Sequence, residues 1–463
     1  MSGEQDGGMR FKRVIGRNTL LAMGFGSMIG FGWVVLAGGW VVEAGSVGAI
    51  LAFLVGGLAV GFIGLTYAEL MCAMPKVGGE HHYAWRAIGT KGAFVTSWAI
   101  ALGYISVVMF ESVALPTAVG FIVPGYEVGY LWTIAGYDVR LTWVLVGVVA
   151  AVAVTALNYV GIRPAAIFQL IAALFLAGVG ALLLFGTVSN GSAQNFTPLI
   201  AGGAAGVLAV VIQTPFLFVG FDVIPQSAEE IDLPVRKIGT YLMVAIAMAT
   251  AWYVLIVVGV SSSLGRGALE ASNSPTADAM GALFGGSFFA DVLILGGVAG
   301  ILTSWNALLV GGSRILYAMA EHGMLPSWLA RLHPRYRTPS NAILLIGVLS
   351  LISPWFGESM LGWLVNAGSL NIVVAYVLVA VSFLLLRRNE PRMPRPFRAG
   401  GGPYVGLIAL VLGLGIAVQY LPGMPAGLSW PAEWVIVLLW WAAGILFMTR
   451  MNAPDYSPEV AGE

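Results

Sequence analysis

GFGSMIGFG, residues 24–32, places four glycines near the middle of an apolar run that extends from 15 to 42. Glycine costs about 1 kcal/mol relative to alanine in a helix interior, so four of them in one span require an explanation. One explanation is close helix packing through small residues four apart, as at Gly26 and Gly30. The other is an unwound segment whose free backbone groups line a cavity, because irregular backbone at membrane depth is tolerated only there.

A second apolar run, near 204–228, is interrupted by PFLFVGFDVIP, residues 215–225. Proline removes a backbone donor and glycine loosens the helix, and Asp222 adds a carboxyl group among apolar neighbours. Along the chain, these two interrupted runs are the first and the sixth. Two repeats of five spans would produce this arrangement, and paired interruptions point to a transporter binding site. The second interruption therefore favours unwound segments over simple packing.

The composition is that of a membrane protein. Of 463 residues, 59% are hydrophobic and 10% are charged, against about 45–50% and about 25% in a soluble domain. A water-soluble globule is therefore excluded. The 22 Lys and Arg are balanced by 22 Asp and Glu, so there is no basic excess for binding nucleic acid. Cys72 is the only cysteine, so no intramolecular disulfide can form.

Apolar runs of the length that crosses a bilayer recur along the whole chain. A hydrocarbon core about 30 Å thick needs roughly 20 apolar residues per helix. Short polar segments separate twelve such runs. They lie near 15–42, 47–73, 92–123, 141–160, 164–187, 204–228, 239–264, 288–320, 341–356, 360–386, 404–421 and 432–449.

The positions of the basic residues predict the orientation, because Lys and Arg concentrate in cytoplasmic loops. If twelve spans alternate, all of the 22 Lys and Arg except Arg140 and Arg266 fall on one side. That side also holds both ends of the chain. We therefore expect a multi-pass protein of the cell membrane with both termini cytoplasmic. No linker divides it, so 1–463 is predicted to be a single domain with polar ends at 1–9 and 451–463.

Several segments resemble the amino acid–polyamine–organocation superfamily, and they occur in the order found in that family. Residues 24–32 and 215–225 are similar to its segments in spans 1 and 6, and AEE at 228–230 is similar to the acidic end that follows. SRILYAMAEHGMLPSWLARLHPRYRTPSNA, 313–342, is similar to its loop between spans 8 and 9. PKVGGEHHYAW, 75–85, is similar to its loop after span 2.

The resemblance implies an all-α integral membrane protein with twelve transmembrane helices and the leucine-transporter fold. It implies two inverted five-helix repeats, 15–187 and 204–386, in which helices 1 and 6 are broken. Two further peripheral helices, 404–449, would follow at the C-terminal end. The implied function is that of a permease, a secondary active transporter that moves amino acids across the membrane by alternating access.

The break in span 1 is expected to bind the carboxylate of an amino acid. A half-helix that begins there presents unpaired N–H groups and a positive dipole end. Gly30, Phe31 and Gly32 match the carboxylate-binding positions of the family. The family commonly has serine where Phe31 stands, so side-chain space or a hydroxyl contact is expected to differ here.

The substrate ammonium group is expected to meet carbonyl oxygens left free at the half-helix ends. By match to the family, these belong to Met28, Phe216 and Val219, and Phe216 also matches the family's aromatic gate. Asp222 has two alternative roles. It could help to hold the ammonium group, or it could cap the second half-helix of span 6, where a carboxylate favours the helix dipole.

Glu111 lies well inside span 3, where an ionised carboxylate costs at least about 2.5 kcal/mol. Such a residue is a candidate for coupling transport to a proton; the alternative is a protonated carboxyl group that hydrogen-bonds to neighbouring backbone. In cationic amino acid transporter branches a glutamate at the matching place is linked to a lysine of span 5. Here that lysine is replaced near Leu176.

Sodium-coupled relatives place the ion where the lysine amine lies, so the missing lysine leaves either an empty site or a sodium site. Hard cations take oxygen ligands. The alternative for the two hydroxyl groups is a hydrogen bond within their own helix. No other cofactor is expected. The residues that match the sodium ligands are Gly26, Ile29, Gly300, Thr303 and Ser304.

The remaining polar groups suggest structural roles. We expect the acidic residues Glu69, Glu229, Glu230 and Asp232 to form gate or loop ion pairs with Arg86, Arg236 and Lys237. His81 and His82 have no second His or Cys cluster beside them in the sequence, so a solvated interfacial loop is expected there rather than a metal site.

A secondary transporter of amino acids, coupled to sodium or to protons, is therefore the expected function. A polyamine or amine permease and an amino acid exchanger are alternatives. An ion channel would need a repeated pore-lining filter, and the sequence shows none. A membrane enzyme would need a catalytic motif in a plausible context, and none occurs. No residue pattern predicts which amino acid or amine is carried, in which direction, or the oligomeric state.

Overall fold

The computed structural model describes residues 11–455. The predicted polar end 1–9 and the last residues of 451–463 therefore lie outside the described residues. The described chain is almost entirely helical, with one short β-hairpin. Its first part contains α1 Arg17–Ser27, α2 Gly32–Val35, α3 Ala37–Ala44, α4 Ser46–Ala73, α5 Glu80–Ile122, β1 Tyr130–Ile134, β2 Tyr137–Arg140, α6 Leu141–Val160 and α7 Ile162–Asn190.

The middle and last parts of the chain are also built of long helices joined by short turns. The middle part contains α8 Gly203–Val211, α9 Thr214–Leu217, α10 Val223–Gln226, α11 Val235–Ser263, α12 Arg266–Ala271, α13 Pro275–Phe284 and α14 Ser287–Glu321. The last part contains α15 Ser340–Ile352, α16 Met360–Asn389, α17 Pro403–Val418 and α18 Ala432–Arg450. Short 3-10 turns lie at Ala193–Phe196, Ala228–Glu230, Ser327–Ala330 and Ser353–Phe356.

Eight of the described helices are long and apolar enough to cross a membrane: α4, α5, α6, α7, α11, α14, α16 and α18. Each corresponds to one of the apolar runs in the sequence. Shorter apolar helices occupy Gly203–Leu217, Ser340–Phe356 and Pro403–Val418, and the first apolar run forms α1 to α3. The predicted start of span 3 differs most, because α5 begins at Glu80 rather than near 92. A kink at Gly89, where φ is 77°, joins the two parts of this helix.

The helices differ in how much of their apolar surface the protein covers. In α5 the most apolar stretch is 89% buried, whereas in α18 it is 17% buried. α5 therefore lies at the centre, where it packs along α14 and α16. The exposed apolar surface of α18 suits contact with lipid chains, since no water-soluble protein leaves so much of a long apolar helix uncovered.

α1 occupies a central position that matters for the site. It packs against α7, α11 and α14, and α10 also contacts it. α9 is held against α4 at Gly56, where a Cβ atom would lie 2.5 Å from the hydroxyl oxygen of Thr214. Only glycine allows this approach. The chain segments that follow α1 and α9 are thereby placed side by side.

Candidate functional site

The chain between α1 and α2 leaves the helical path for residues 28–31. The N–H groups of Gly30, Phe31 and Gly32 have no hydrogen-bond acceptor among residues 11–455. Three consecutive donors at the start of a helix form a place where an anion or an anionic group can bind. These are the donors that the sequence predicts for a carboxylate.

A second non-helical segment, residues 218–222, separates α9 from α10. Gly220 has a φ of 124°, which an L side chain rarely adopts. A Cβ atom at Gly220 would also lie 2.6 Å from Cβ of Ser27. The second non-helical segment therefore touches the last residue of α1, directly before the first segment, at a residue that must be glycine.

Tyr253 of α11 joins the two segments. Its hydroxyl group lies 2.8 Å from the carbonyl oxygen of Met28 and 2.9 Å from that of Leu217, and its ring stacks on Phe53 with centroids 4.9 Å apart. Sequence reasoning missed Tyr253, because a single tyrosine in an apolar helix gives no signal of the face on which it lies. The Met28 carbonyl, predicted to bind an ammonium group, accepts from this hydroxyl.

The predicted substrate residues, with one exception, line a small cavity of about 20 Å³ between the two segments. This volume can hold about one water molecule. The cavity is therefore too small for any larger molecule in this conformation. The predicted residues that line it are Met28, Gly30, Phe31, Gly32, Glu111, Phe216, Val219 and Ser304. The carbonyl of Phe216 also accepts from the N–H groups of Phe218 and Val219.

Asp222 is the exception. Its Oδ1 atom accepts from the N–H group of Gly220 at 2.9 Å, and its Oδ2 atom lies 3.4 Å from the hydroxyl group of Tyr376. It makes no cap hydrogen bond at the start of α10, so the predicted capping role is wrong. Asp222 is fully buried and does not line the small cavity.

A second, larger cavity of about 780 Å³ adjoins the small one. Phe31, Phe110 and Phe216 line both cavities, and the rings of Phe110 and Phe216 meet edge to face at 5.8 Å. The large cavity reaches Glu127 and Glu358 on the side of the β-hairpin. Aromatic rings thus form the partition between the small cavity and this vestibule.

Glu111 of α5 lies beside the first non-helical segment. It is 1% exposed, and a Cβ atom at Gly30 would lie 2.6 Å from its Oε1 atom. Its Oε2 atom has no hydrogen-bond partner, and no ion pair among the described residues includes it. Leu176, the residue in place of the family's lysine, is fully buried. A single carboxyl group without a cation therefore faces the segment that presents free N–H groups.

The residues predicted to bind sodium are also close together. A Cβ atom at Gly26 would lie 3.3 Å from the hydroxyl oxygen of Thr303, and one at Gly300 would lie 2.8 Å from the carbonyl oxygen of Ile29. A Cβ atom at Gly30 would lie 3.6 Å from the hydroxyl oxygen of Ser304. Carbonyl and hydroxyl oxygens of this kind suit a hard cation. The Thr303 hydroxyl donates to the Gly300 carbonyl at 2.9 Å. This is the hydrogen bond within its own helix that was the alternative to binding an ion.

A buried network of amide side chains adjoins these residues and was missed in the sequence. Asn306 of α14 accepts from Asn158 of α6 at 2.9 Å and donates to Gln169 of α7 at 2.8 Å. Gln169 donates in turn to the carbonyl of Ala22 at 3.2 Å. The Gln169 amide nitrogen would lie 2.8 Å from a Cβ atom at Gly26. A neutral donor from α7 therefore reaches α1 beside the predicted ion ligands.

Ion pairs close the other side of the molecule, away from the vestibule. Arg314 makes two hydrogen bonds of 3.0 Å to Glu230, and the two side chains are 1% and 0% exposed. Burial raises the pKa of the Glu230 carboxyl group, and the nearby Arg314 opposes that shift. Glu69 binds both Arg387 and Arg395.

The predicted ion pairs therefore exist for Glu69 and Glu230, but with other partners. Neither binds Arg86, whose guanidinium pairs with Glu390 at 2.8 Å. The expected solvated loop at His81 and His82 is wrong, because both histidines are buried. Their rings lie 5.0 and 5.2 Å from that of His322. Among residues 11–455, no group of three or more His, Cys, Asp or Glu is arranged to hold a metal ion.

The sequence as a whole matches a known family of proteins. Residues 15–447 match the family described as amino acid permease. The chain belongs to this family. Its members form part of the amino acid–polyamine–organocation superfamily, so the predicted resemblance is confirmed. The protein is accordingly a multi-pass membrane transporter and not an enzyme.

Individual relatives cover most of the chain at low identity. The branched-chain amino acid permease BcaP of Bacillus subtilis (strain 168) is 27% identical over 425 residues, which are 89% of this chain and 88% of that protein. The methylthioribose transporter of the same organism is 24% identical and covers 94% of this chain and 92% of its own length. The vacuolar cationic amino acid transporter 2 of Arabidopsis thaliana is 27% identical over 84% of this chain and 62% of that protein.

Proposed function

We propose that this permease carries amino acids across the cell membrane by alternating access, as a secondary active transporter. The substrate would bind where the two non-helical segments meet, with its carboxylate on the N–H groups of Gly30, Phe31 and Gly32. The free carbonyl of Val219 and the carboxyl group of Glu111 would face its ammonium group. The observation that carries this proposal is the set of three unpaired N–H groups beside a single carboxyl group that has no ion-pair partner among the described residues, which together complement a zwitterion.

The architecture proposed for this function has twelve spans. α1 to α3 and α8 to α10 would be the broken helices 1 and 6 of two inverted five-helix repeats, and α17 and α18 would be peripheral. The side closed by Glu230 and Arg314 would face the cytoplasm, together with both termini, since almost all Lys and Arg lie there. The vestibule would then open outward, and Phe216 would act as the gate between it and the substrate.

Transport would be coupled to sodium or to protons. Gly26, Ile29, Gly300, Thr303 and Ser304 would hold the sodium ion through oxygen atoms, and Glu111 would be the group that carries a proton near the substrate. A bound sodium ion would supply positive charge between α1 and α14 and favour one conformation.

The test is counterflow by purified protein in liposomes preloaded with each of the twenty amino acids in turn. The matching labelled amino acid is added outside. A carrier exchanges the labelled for the unlabelled molecule, so preloading accelerates uptake, whereas a channel shows no such acceleration. We expect acceleration with at least one amino acid. Preloading without effect for every amino acid would contradict the proposal.

Gly30→Leu tests the position of the substrate site. A side chain at this position enters the space between the free N–H groups and Glu111, where a Cβ atom would already lie 2.6 Å from Oε1. We expect counterflow to disappear while the protein still elutes as a folded species. Gly39→Leu is the matched control, because a Cβ atom there meets nothing within 4 Å. Normal counterflow by Gly30→Leu would remove the substrate from this position.

A further inference from the structure

A second buried carboxyl group lies close to Asp222 and has no role in the substrate site. Glu80, at the start of α5, is fully buried, and neither of its carboxyl oxygens has a hydrogen-bond partner. Gly79, the residue before Glu80, lies against Pro225, three residues after Asp222: a Cβ atom at Gly79 would lie 3.0 Å from Cβ of Pro225. Tyr104 lies in the same region, because a Cβ atom at Gly311 would be 3.4 Å from its ring and 3.1 Å from Val223. No ion pair among the described residues includes Glu80 or Asp222.

Tyrosines from three helices surround this pair of carboxyl groups. Tyr67 of α4 and Tyr376 of α16 have ring centroids 5.8 Å apart, and Tyr83 of α5 lies 6.4 Å from Tyr67. The hydroxyl groups of Tyr67, Tyr83 and Tyr104 are buried without hydrogen-bond partners. These unpaired polar groups make the surroundings of Glu80 polar but provide no positive charge.

Two carboxylates cannot both be ionised in such surroundings. Burial in low dielectric and the charge of the neighbouring carboxylate both disfavour the second ionisation. A pair of this kind therefore binds a cation from solution. We take this cation to be a proton, because the two carboxyl groups are not arranged with further ligands as a metal site would be. The hydroxyl groups around it can accept or donate as the proton comes and goes.

We propose that Glu80 and Asp222 together bind one proton, and that this proton moves with the substrate. The position of the pair supports this role. Asp222 is bonded to Gly220, which touches the substrate segment at Ser27. Gly78 and Gly79, which precede Glu80, pack on Ala318 of α14 and on Pro225 of α10. Movement of that loop would expose Glu80 to water on the side away from the vestibule, where the proton would leave.

This inference rests on the proposed transport function, and the experiment separates the two. Liposomes that contain the full-length protein and an internal pH-sensitive dye, but no preloaded amino acid, are exposed to the amino acid that gives the fastest counterflow. We expect the interior to acidify as the amino acid enters. Net uptake without any acidification would overturn the proton site while leaving the transport function intact, and absence of counterflow in preloaded liposomes would overturn the transport function itself.

Glu80→Gln tests whether Glu80 carries the proton. Glutamine keeps the size of the side chain but cannot release a proton, so we expect the proton flux per amino acid taken up to fall at least about tenfold. Glu43→Gln is the matched control, since Glu43 is an exposed glutamate near the end of α3, and it should keep the wild-type ratio. A wild-type ratio in Glu80→Gln would overturn the proposal and leave Glu111 as the carrier.

Tyr376→Phe keeps the proposal testable if Glu80→Gln does not fold. The change removes the hydroxyl group that lies 3.4 Å from Oδ2 of Asp222 and retains the ring. A lost donor destabilises the ionised form, so the pH of half-maximal proton flux should rise by about one unit. An unchanged midpoint in well-folded Tyr376→Phe protein would contradict a proton held between Glu80 and Asp222.

Discussion

The hydroxyl group of Tyr253 holds the two non-helical segments together, and its removal has a calculable cost. Tyr253→Phe keeps the ring that stacks on Phe53 but deprives the Met28 and Leu217 carbonyls of their shared donor. A hydroxyl has one proton, so one hydrogen bond is lost at any moment, and a buried acceptor left unpaired costs about 1–3 kcal/mol. The adjoining cavity of about 20 Å³ can admit one water molecule. Because that water can donate to the unpaired carbonyl, the free-energy cost should lie toward the lower end of this range.

If the joined segments are the arrangement that binds substrate, 1–3 kcal/mol corresponds to an increase of about 5–150-fold in the half-saturation concentration. Counterflow at a series of substrate concentrations measures this value. Tyr404→Phe is the matched control, because Tyr404 is 71% exposed, and it should bind as the wild type does. A half-saturation concentration unchanged within about twofold in folded Tyr253→Phe protein would refute the reasoning.

Three further predictions concern the closed side, the ion and the topology. Arg314→Met leaves Glu230 buried without its partner, so thermal unfolding should show a loss of about 3–5 kcal/mol, and a loss below about 1 kcal/mol would show that the pair is not buried in the native state. Replacing Thr303 and Ser304 together by alanine removes two proposed ligands. Sodium-dependent uptake should then fall far more than protein yield, and full uptake in sodium-free buffer by both proteins would reject the ion site. Ser327→Cys, at an exposed position, should resist an impermeant thiol reagent added outside intact cells; efficient labelling would reverse the orientation.

The long helices were predictable because a membrane span must be apolar over its whole length. Eight predicted runs match described helices of spanning length. Residues 28–31 and 218–222, where the helical path is left, lie among the glycines and prolines that interrupt two of the predicted runs. The helical stretch from Glu80 to the kink at Gly89 was missed, since its polar residues predict a loop when only hydropathy is considered.

The partners of polar groups were much harder to predict. Hydropathy identifies a span but not the face on which one polar residue lies, so Tyr253 and the bond from Gln169 to Ala22 gave no signal. Pairing depends on contacts between distant segments, as with Arg387 and Glu69, which are 318 positions apart. The predicted substrate and ion residues were found from segments that resemble the family, and their proximity in space follows from the packing of α1 against α14.

The two sides of the substrate cavity are closed by different physical means, and this has a kinetic consequence. Aromatic rings form the partition toward the vestibule, and contacts between apolar surfaces weaken on cooling. On the other side, separating Arg314 from Glu230 requires water to solvate two charges. The barrier to that step depends on the hydration of ions, whose free energy changes with temperature in a different way. Opening the cavity toward the vestibule and opening it toward the other side should therefore have different activation enthalpies.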